Sequence, residues 1–511
     1  MEKHQGGNVM NKKEALNIYK NQQEKINAYS LLLSTAYYDK DTIAPKKGTN
    51  YRNRMLSYIY GEAFSIETDP KYIEAVETLK NIDLGFEKNR EIYLTSKSLE
   101  NITEFTKQEA MDFDMACMQA QDAWEIAKHN NDYKKFEPHL QKLILMSKQR
   151  AQKRNNNISA YDLYLDDYEE GMTTSKYDKF FSLIKKELLP LIKQVNNKQD
   201  EINDAFLYKY YPRAKQELFM KDLIKFLRFD NSWGYMGVSE HPFTNGFSEN
   251  DVRITTSYNE HNITSCIFSI IHEVGHSYYE HQVKSKYQET MIKKMISSGM
   301  HESQSRFFEN YLGRRKSFWV KLYPRLQEIF PENLKDVSLD DFIKAINVSK
   351  SSLIRCDADE LTYPIHILIR YEIEKDIFEG KINDKNLNKV WNKKYYDYLG
   401  IKVDSDTNGI LQDIHWSGAS FGYFPTYALG SAIGAQLIHH IESEFDIDDV
   451  LSKGQFNKVT DYLKKNIQCY GALYDYNTIL QKATNEKFNP KYYINYLKKK
   501  YKKLYNIKEE R

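Results

Sequence analysis

The clearest chemistry in the chain lies in His272-Glu273-Val274-Gly275-His276. On a helix, positions four apart share a face, so both imidazoles can meet one ion. Glu273 lies beside them, placed to take a proton from a water that the ion activates. The apolar residues Cys266, Ile267, Phe268, Ile270 and Ile271 precede the motif, which suits a buried active-site helix. The competing reading is a pair of surface histidines on an ordinary helix. A catalytic tetrahedral ion wants three protein ligands and one open position. Glu302, in Gly299-Met300-His301-Glu302-Ser303-Gln304, is the best third ligand, because Gly299 permits a turn that lets a second helix pack on the first. His301 and Glu309 are rivals, although His301 points about 100° away from Glu302 on an ideal helix. Two histidines and one carboxylate suit Zn²⁺, and Co²⁺ or Mn²⁺ could substitute.

The elements around these residues read as mainly helical. Gly is 21 and Pro 11 in 511 residues, too few breakers for an all-β sandwich with its many turns. Leu16, Tyr19, Ile26, Tyr29, Leu32 and Leu33 form one stripe, which predicts a helix over 12–38. Further helices are expected over 51–65, 70–82, 86–111 and 113–131. Another should open at Pro138 and run to Arg154, and a pair should fill 176–227 with a break near Tyr210-Tyr211-Pro212. Val252, Ile254 and Thr256 alternate with Arg253 and Thr255, so one to three short strands belong in 229–260, paired as a small antiparallel sheet. After about 262 the helical pattern returns, with loops near 284–288, 330–338, 378–386 and 399–420. No composition shift marks a boundary. The expectation is a flexible leader over 1–10, one large mainly α-helical body over 11–505 and a tail over 506–511.

Charge and cysteine use exclude several classes. Lys plus Arg number 73 and Asp plus Glu 71, a net charge of +2, so no nucleic-acid partner is expected. The lysines between Tyr492 and Lys508 read as the solvated face of a docked terminal helix, with Tyr493, Leu497 and Leu504 turned inward. No run of 18 apolar residues suggests a membrane span. Cys117, Cys266, Cys356 and Cys469 are dispersed and include no CxxC pair, which fits a reducing, cytoplasmic compartment.

Six motifs stand in one order along the chain. They are His241-Pro242-Phe243, Asp251-Val252-Arg253-Ile254-Thr255, the HExxH segment, His301-Glu302-Ser303-Gln304, Ile354-Arg355-Cys356-Asp357-Ala358-Asp359, and Gly409-Ile410-Leu411-Gln412-Asp413-Ile414-His415-Trp416. In this the sequence resembles the carboxypeptidase Taq family of metallocarboxypeptidases, from about residue 11 to 505. It departs from the family at Tyr38, where Trp is usual, and at Ala44, where Met is usual. The resemblance implies a helical fold like that of the angiotensin-converting-enzyme and neurolysin-like peptidases, with a deep active-site groove. It also implies zinc held by His272, His276 and Glu302, peptide substrates with a free C-terminus, and a homodimer.

A carboxypeptidase must recognise a free carboxylate, best met by an arginine fork. The resemblance assigns this to Arg253 and Arg355. Their bland readings are ion pairs with Asp251 and with Asp357 or Asp359. His415 and Tyr423, in Phe421-Gly422-Tyr423-Phe424-Pro425, are candidates for steadying the tetrahedral oxygen, against a packing role. His241 either contacts substrate or is a structural histidine. Asp359 and Glu360 are candidates to orient the metal-binding imidazoles, and His281 falls off the metal face. The leading expectation is a carboxypeptidase with Glu273 as general base. The alternatives are an oligopeptidase or endopeptidase on the same scaffold, or a non-catalytic zinc-stabilised binding protein.

Overall fold

The computed structural model describes residues 10–508. The leader expected over 1–10 lies outside these residues except for Met10, as does the end of the 506–511 tail. The described chain falls into two compact units, where the sequence marks no boundary. The first comprises residues 10–115, 283–296 and 470–473. The second comprises 116–282, 297–469 and 474–508.

In the first unit Asn11 caps the Lys12–Thr42 helix by accepting from the Glu14 N–H at 3.0 Å. Ala15 and Tyr19 pack with Tyr72, Ala75, Val76 and Leu79 of the Pro70–Lys80 helix. The predicted stripe holds only in part, since Leu32 is 50 % exposed. The single helix expected over 86–111 is two pieces. Phe86–Glu100 ends, and a new helix starts at Lys107. A capping box sets that start: Thr106 Oγ1 accepts from the Glu109 N–H (3.2 Å), and Glu109 Oε2 accepts from the Thr106 N–H (3.0 Å).

The second unit holds every residue assigned chemistry above. Pro138 does not open its helix, which begins a turn earlier as Tyr133–Arg154. The buried stripe Tyr133, Phe136, Leu140, Leu143 and Ile144 runs straight through the proline and fixes the helix against the unit's core. Three strands do form within 229–260: β1 (Gly234–Val238), β2 (Thr244–Ser248) and β3 (Asp251–Thr256). Their order is β1-β3-β2. The sheet is mixed, not antiparallel throughout: β2 pairs antiparallel with β3, and β1 runs parallel to it. The tight β2–β3 turn makes a hairpin and leaves the other edge of β3 for β1. The 239–243 connection must then wrap the end of β3. It is pinned there by Ser239 N–H to Thr256 O (3.0 Å) and Phe243 N–H to Thr255 Oγ1 (3.0 Å). Behind β3 lies the Ile263–Gln282 helix, with the Thr256 and Ser269 hydroxyls 2.9 Å apart.

Most of the C-terminal lysines lie on the Lys491–Leu504 helix, whose Tyr493, Leu497 and Tyr501 are buried, as a docked terminal helix requires, while Leu504 is only half-buried and Lys500 leaves the solvated face to pair with buried Glu360. No helix of the described residues is long and apolar enough to cross a membrane.

Candidate metal centre and active site

The Ile263–Gln282 helix starts where the Asn262 side chain accepts the Thr264 N–H (3.1 Å). Its buried residues are mostly apolar, with Glu273, Ser277 and Gln282 among them. Glycine at 275 is a steric requirement. A Cβ there would stand 2.6 Å from both the Gln304 carbonyl oxygen and the Ser305 Cα, so the Ser298–Arg306 helix crosses backbone to backbone. On the other side of that helix the Phe424–Glu444 helix approaches at Gly430, where a Cβ would stand 2.7 Å from Glu302 Cγ. Ser297 caps the Ser298–Arg306 helix through the Met300 N–H (3.0 Å). Buried Glu169 Oε2 accepts from Ser297 Oγ (2.6 Å) and the Gly299 N–H (3.0 Å). Burial pushes Glu169 up to about 8, against those two hydrogen bonds.

This packing brings His272, His276 and Glu302 together, with one donor atom from each within 4.8 Å of the others. Glu302 Oε2 is 3.3 Å from His276 Nε2 and 3.8 Å from His272 Nε2. Donor atoms around a tetrahedral zinc stand roughly 3.3 Å apart, given bonds of about 2.0–2.1 Å. Burial, helped by His301, lowers His276 to about 3 and keeps it a neutral nitrogen donor. Burial also pushes Glu302 up, but Arg306 and the two imidazoles outweigh it and hold the carboxyl well below the usual carboxylate range. A neutral imidazole and an ionised carboxylate are the protonation states a divalent cation needs, and His276 and Glu302 hold them. Burial lowers His272, but Glu302 and Glu309 outweigh it and raise it, so an ion bound here displaces the His272 proton and takes its place between the two acids.

The surrounding residues fix these donors. His272 Nδ1 is 2.8 Å from Glu309 Oε2. Glu309, a rival ligand in the sequence, is instead the group that orients His272. Arg306 joins the two acids, with Nε to Glu302 Oε1 (2.7 Å) and Nη1 to Glu309 Oε2 (3.0 Å). It therefore holds one oxygen of Glu302 and leaves the other toward the imidazoles. His301 turns away, as the helical wheel requires, and meets Glu280 at 2.8 Å while stacking on the His276 ring at 4.6 Å. Asp359 and Glu360 are not orienters. Asp359 accepts the Leu361 and Thr362 N–H groups, and Glu360 meets Lys500 and Tyr496. His281 sits off the metal face against Trp233 and the Glu249 carbonyl. Glu273 is buried with Oε2 accepting from Thr244 Oγ1 at 2.6 Å, and burial raises its pKa against the pull of His272.

Beyond the metal residues lies a buried cationic cluster. Arg355 Nε donates to Asp413 Oδ1 (2.9 Å) and Arg370 Nε to Asp413 Oδ2 (2.6 Å). The acid partner of Arg355 is thus Asp413, not Asp357 or Asp359. Tyr363 OH stands 3.3 Å from Arg355 Nη1, and its ring lies under Arg306 at 4.1 Å, so Tyr363 links the cluster to Glu302's clamp. The Tyr427 ring lies 4.9 Å from the Arg355 guanidinium, and its hydroxyl is 3.0 Å from His415 Nε2. The His415 and Tyr423 rings are 5.6 Å apart. Burial and then Arg355 lower His415 to about 3, so it is a neutral imidazole. Burial and the charge of Glu302 raise Tyr423, which keeps its proton. Arg253 is elsewhere engaged. It grips Asp251 with two bonds (2.9 and 2.8 Å) and lies on the Phe247 ring at 4.4 Å. His241 is exposed on the connection that wraps β3, three residues before Thr244.

Sequence reading missed Arg306, Tyr427, Thr244, Tyr363 and the Arg370–Asp413 contact. Two had a signal: Glu302, Arg306 and Glu309 stand at i, i+4 and i+7, and Tyr427 follows Tyr423 by one turn. The contacts of Arg370 with Asp413 and of Thr244 with Glu273 span 43 and 29 residues and had none.

A buried HExxH helix, a carboxylate from a crossing helix and a buried arginine cluster define a metallopeptidase. The chain matches the model of the carboxypeptidase Taq (M32) metallopeptidases over residues 18–501 and belongs to that family. It is 37 % identical to carboxypeptidase 1 of Bacillus subtilis over 485 residues, covering 94 % of this chain and 97 % of that one. It is 32 % identical to thermostable carboxypeptidase 1 of Thermus thermophilus, covering 92 % and 95 %. The Pyrococcus furiosus carboxypeptidase structure superposes with a TM-score of 0.90 at 31 % identity, covering 96 % of this chain and 100 % of that one. The protein is therefore a metallocarboxypeptidase with the expected helical peptidase fold.

Two outcomes follow from the packing. Gly275→Ala should destabilise the protein by about 1–3 kcal/mol in chemical denaturation and weaken metal binding by roughly tenfold or more in chelator competition. Glu169 has a folded-state pKa (about 8) above its ordinary 4.5, so its neutral form is favoured by folding. Its stabilising contribution is complete below pH 4.5 and is lost as pH rises through 8. The melting temperature of Glu169→Gln relative to the parent should therefore rise between pH 5 and pH 9; a pH-independent difference would refute this.

Proposed function

We propose that this metallocarboxypeptidase is zinc-dependent and removes single residues from peptides with a free C-terminus, using Glu273 as the general base. The observation that carries the reading is the convergence of His272, His276 and Glu302 beside the buried Glu273 carboxylate. Bound zinc would lower the pKa of a coordinated water and polarise the scissile carbonyl. Co²⁺ or Mn²⁺ would satisfy the same donors.

Glu273 takes the water's proton and delivers it to the leaving amine. Its raised pKa suits both steps, and the Thr244 hydroxyl fixes the carboxylate's direction. Tyr423, protonated, and neutral His415 are hydrogen-bond donors for the oxygen that becomes negative at the tetrahedral stage. Tyr427, bonded to His415 Nε2, sets the direction of that ring.

Arg355 supplies the C-terminal recognition. One carboxylate, Asp413, serves both Arg355 and Arg370, so the three together carry an excess positive charge. A substrate carboxylate complements that excess. Arg253 has Asp251 as its own counter-ion and contributes at the substrate's flank, with His241 beside the same strands. A homodimer belongs to this reading by family resemblance, and a cytoplasmic location by cysteine use. The four cysteines, all free thiols, support a reducing compartment.

Glu273→Gln is expected to bind zinc stoichiometrically yet lose kcat/KM by roughly two to four orders of magnitude on a blocked dipeptide; substantial turnover would remove Glu273 as the base. Amidating the substrate's C-terminus should abolish release of the terminal residue, and Arg355→Lys should raise KM about tenfold or more for the free acid. Equal cleavage of amide and acid would identify an endopeptidase instead.

A further inference from the structure

The residues given the oxyanion role, His415 and Tyr423, sit on an irregular stretch and not on a regular element. Within it only His415–Gly418 forms a single 3₁₀ turn, and Tyr423 immediately precedes the Phe424–Glu444 helix. Something must hold that stretch, because a misplaced donor loses most of its value to a developing charge.

The neighbouring Tyr363–Phe378 helix is buried along most of its length. Arg370 and Glu374, one turn apart on it, are both fully buried. Arg370 grips the residues just before His415, with Nε to Asp413 Oδ2 (2.6 Å) and Nη2 to Gln412 Oε1 (2.8 Å). Glu374 grips the two places that bracket the rest. Its Oε1 accepts the Trp416 indole N–H (2.7 Å), and its Oε2 accepts the Gly422 N–H (2.9 Å) together with the Tyr161 hydroxyl (2.8 Å). Trp416 follows His415, and Gly422 precedes Tyr423. Gly422 adopts φ 87°, and a Cβ there would stand 2.8 Å from the Tyr164 carbonyl group, so the stretch is pressed against the Ala160–Tyr168 helix.

We propose that Glu374 is a positioning residue that sets the separation of His415 and Tyr423 by tying the residue after one to the residue before the other. The inference rests on the oxyanion reading of those two side chains. Glu374 needs to be a carboxylate for this purpose, since both of its oxygens face donors. A glutamine offers one oxygen and one NH₂ group, so its amide nitrogen must face either the Trp416 or the Gly422 N–H and leave that donor unmatched.

The test uses full-length zinc-loaded enzyme and a blocked dipeptide with a free carboxylate. Glu374→Gln should lower kcat by about tenfold or more, with KM within about twofold and zinc per chain unchanged. Adding Trp416→Phe to that variant removes the N–H that the new amide cannot accept. It should raise kcat several-fold, a recovery that general destabilisation would not produce. Tyr161→Phe deletes one of the three donors while keeping the ring stacked on Phe378. It should lower kcat by a smaller factor at constant KM, and it decides the matter if Glu374→Gln does not fold. A parental kcat in Glu374→Gln, or in Tyr161→Phe where the first cannot be made, overturns the inference, as does a change confined to KM. His415→Ala and Tyr423→Phe separate the two readings. Parental kcat in both sinks the oxyanion assignment itself, whereas a large loss in both beside an active Glu374→Gln sinks only the positioning role.

Discussion

Glu302 is held from two sides, and the rest of the site is arranged around that fact. One carboxylate oxygen is fixed by the Arg306 guanidinium, and the other is directed at two imidazoles. Removing the guanidinium would leave a buried anion with only the Ser305 hydroxyl and the imidazoles beside it, facing a penalty of several kcal/mol for lost solvation. With it in place, a single oxygen is presented in a single direction. The same arginine bonds Glu309, which in turn aims His272. One cation thus organises two of the three donors, by charge-assisted bonds that are stronger than neutral ones. The ion pairs around the site are made by sharing. Arg306 serves two acids, and Asp413 serves two arginines.

How much of this could be read from the chain depended on distance along it. His272, Glu273 and His276 are legible because a helix converts a spacing of four into a shared face. Glu302 is reached by reading Gly299 as a turn between two packed helices, but Gly299 lies inside the Ser298–Arg306 helix, where a Cβ would stand 2.6 Å from Glu169 Oε2 and 2.8 Å from Leu429 Cδ2. The structure adds that the closeness itself depends on Gly275 and Gly430, whose absent side chains are where the helices touch. Glu309 reads as a rival ligand because composition gives no way to distinguish a carboxylate that binds an ion from one that directs an imidazole. The contacts of Asp413 and Thr244 are set by tertiary packing and leave no local pattern.

The same division applies to the elements. The capping box at Thr106 and Glu109 lies in the sequence, and weighing it would have split the helix expected over 86–111. Pro138 misled because proline marks a first turn only when no apolar stripe continues upstream of it, and Tyr133 and Phe136 extend that stripe. Alternation along β3 located the strands, but strand direction follows from where the 239–243 connection passes, which no periodicity encodes.

Gly430 has one further implication. The helix that meets Glu302 at that glycine begins right after Tyr423 and carries Tyr427. At the crossing, chain backbone on one side meets the stem of an acidic side chain on the other, with no rotamer between them to absorb a shift. A side chain at 430 would therefore have to push Glu302 away from the helix that carries Tyr427, shifting the carboxylate and that phenol against each other.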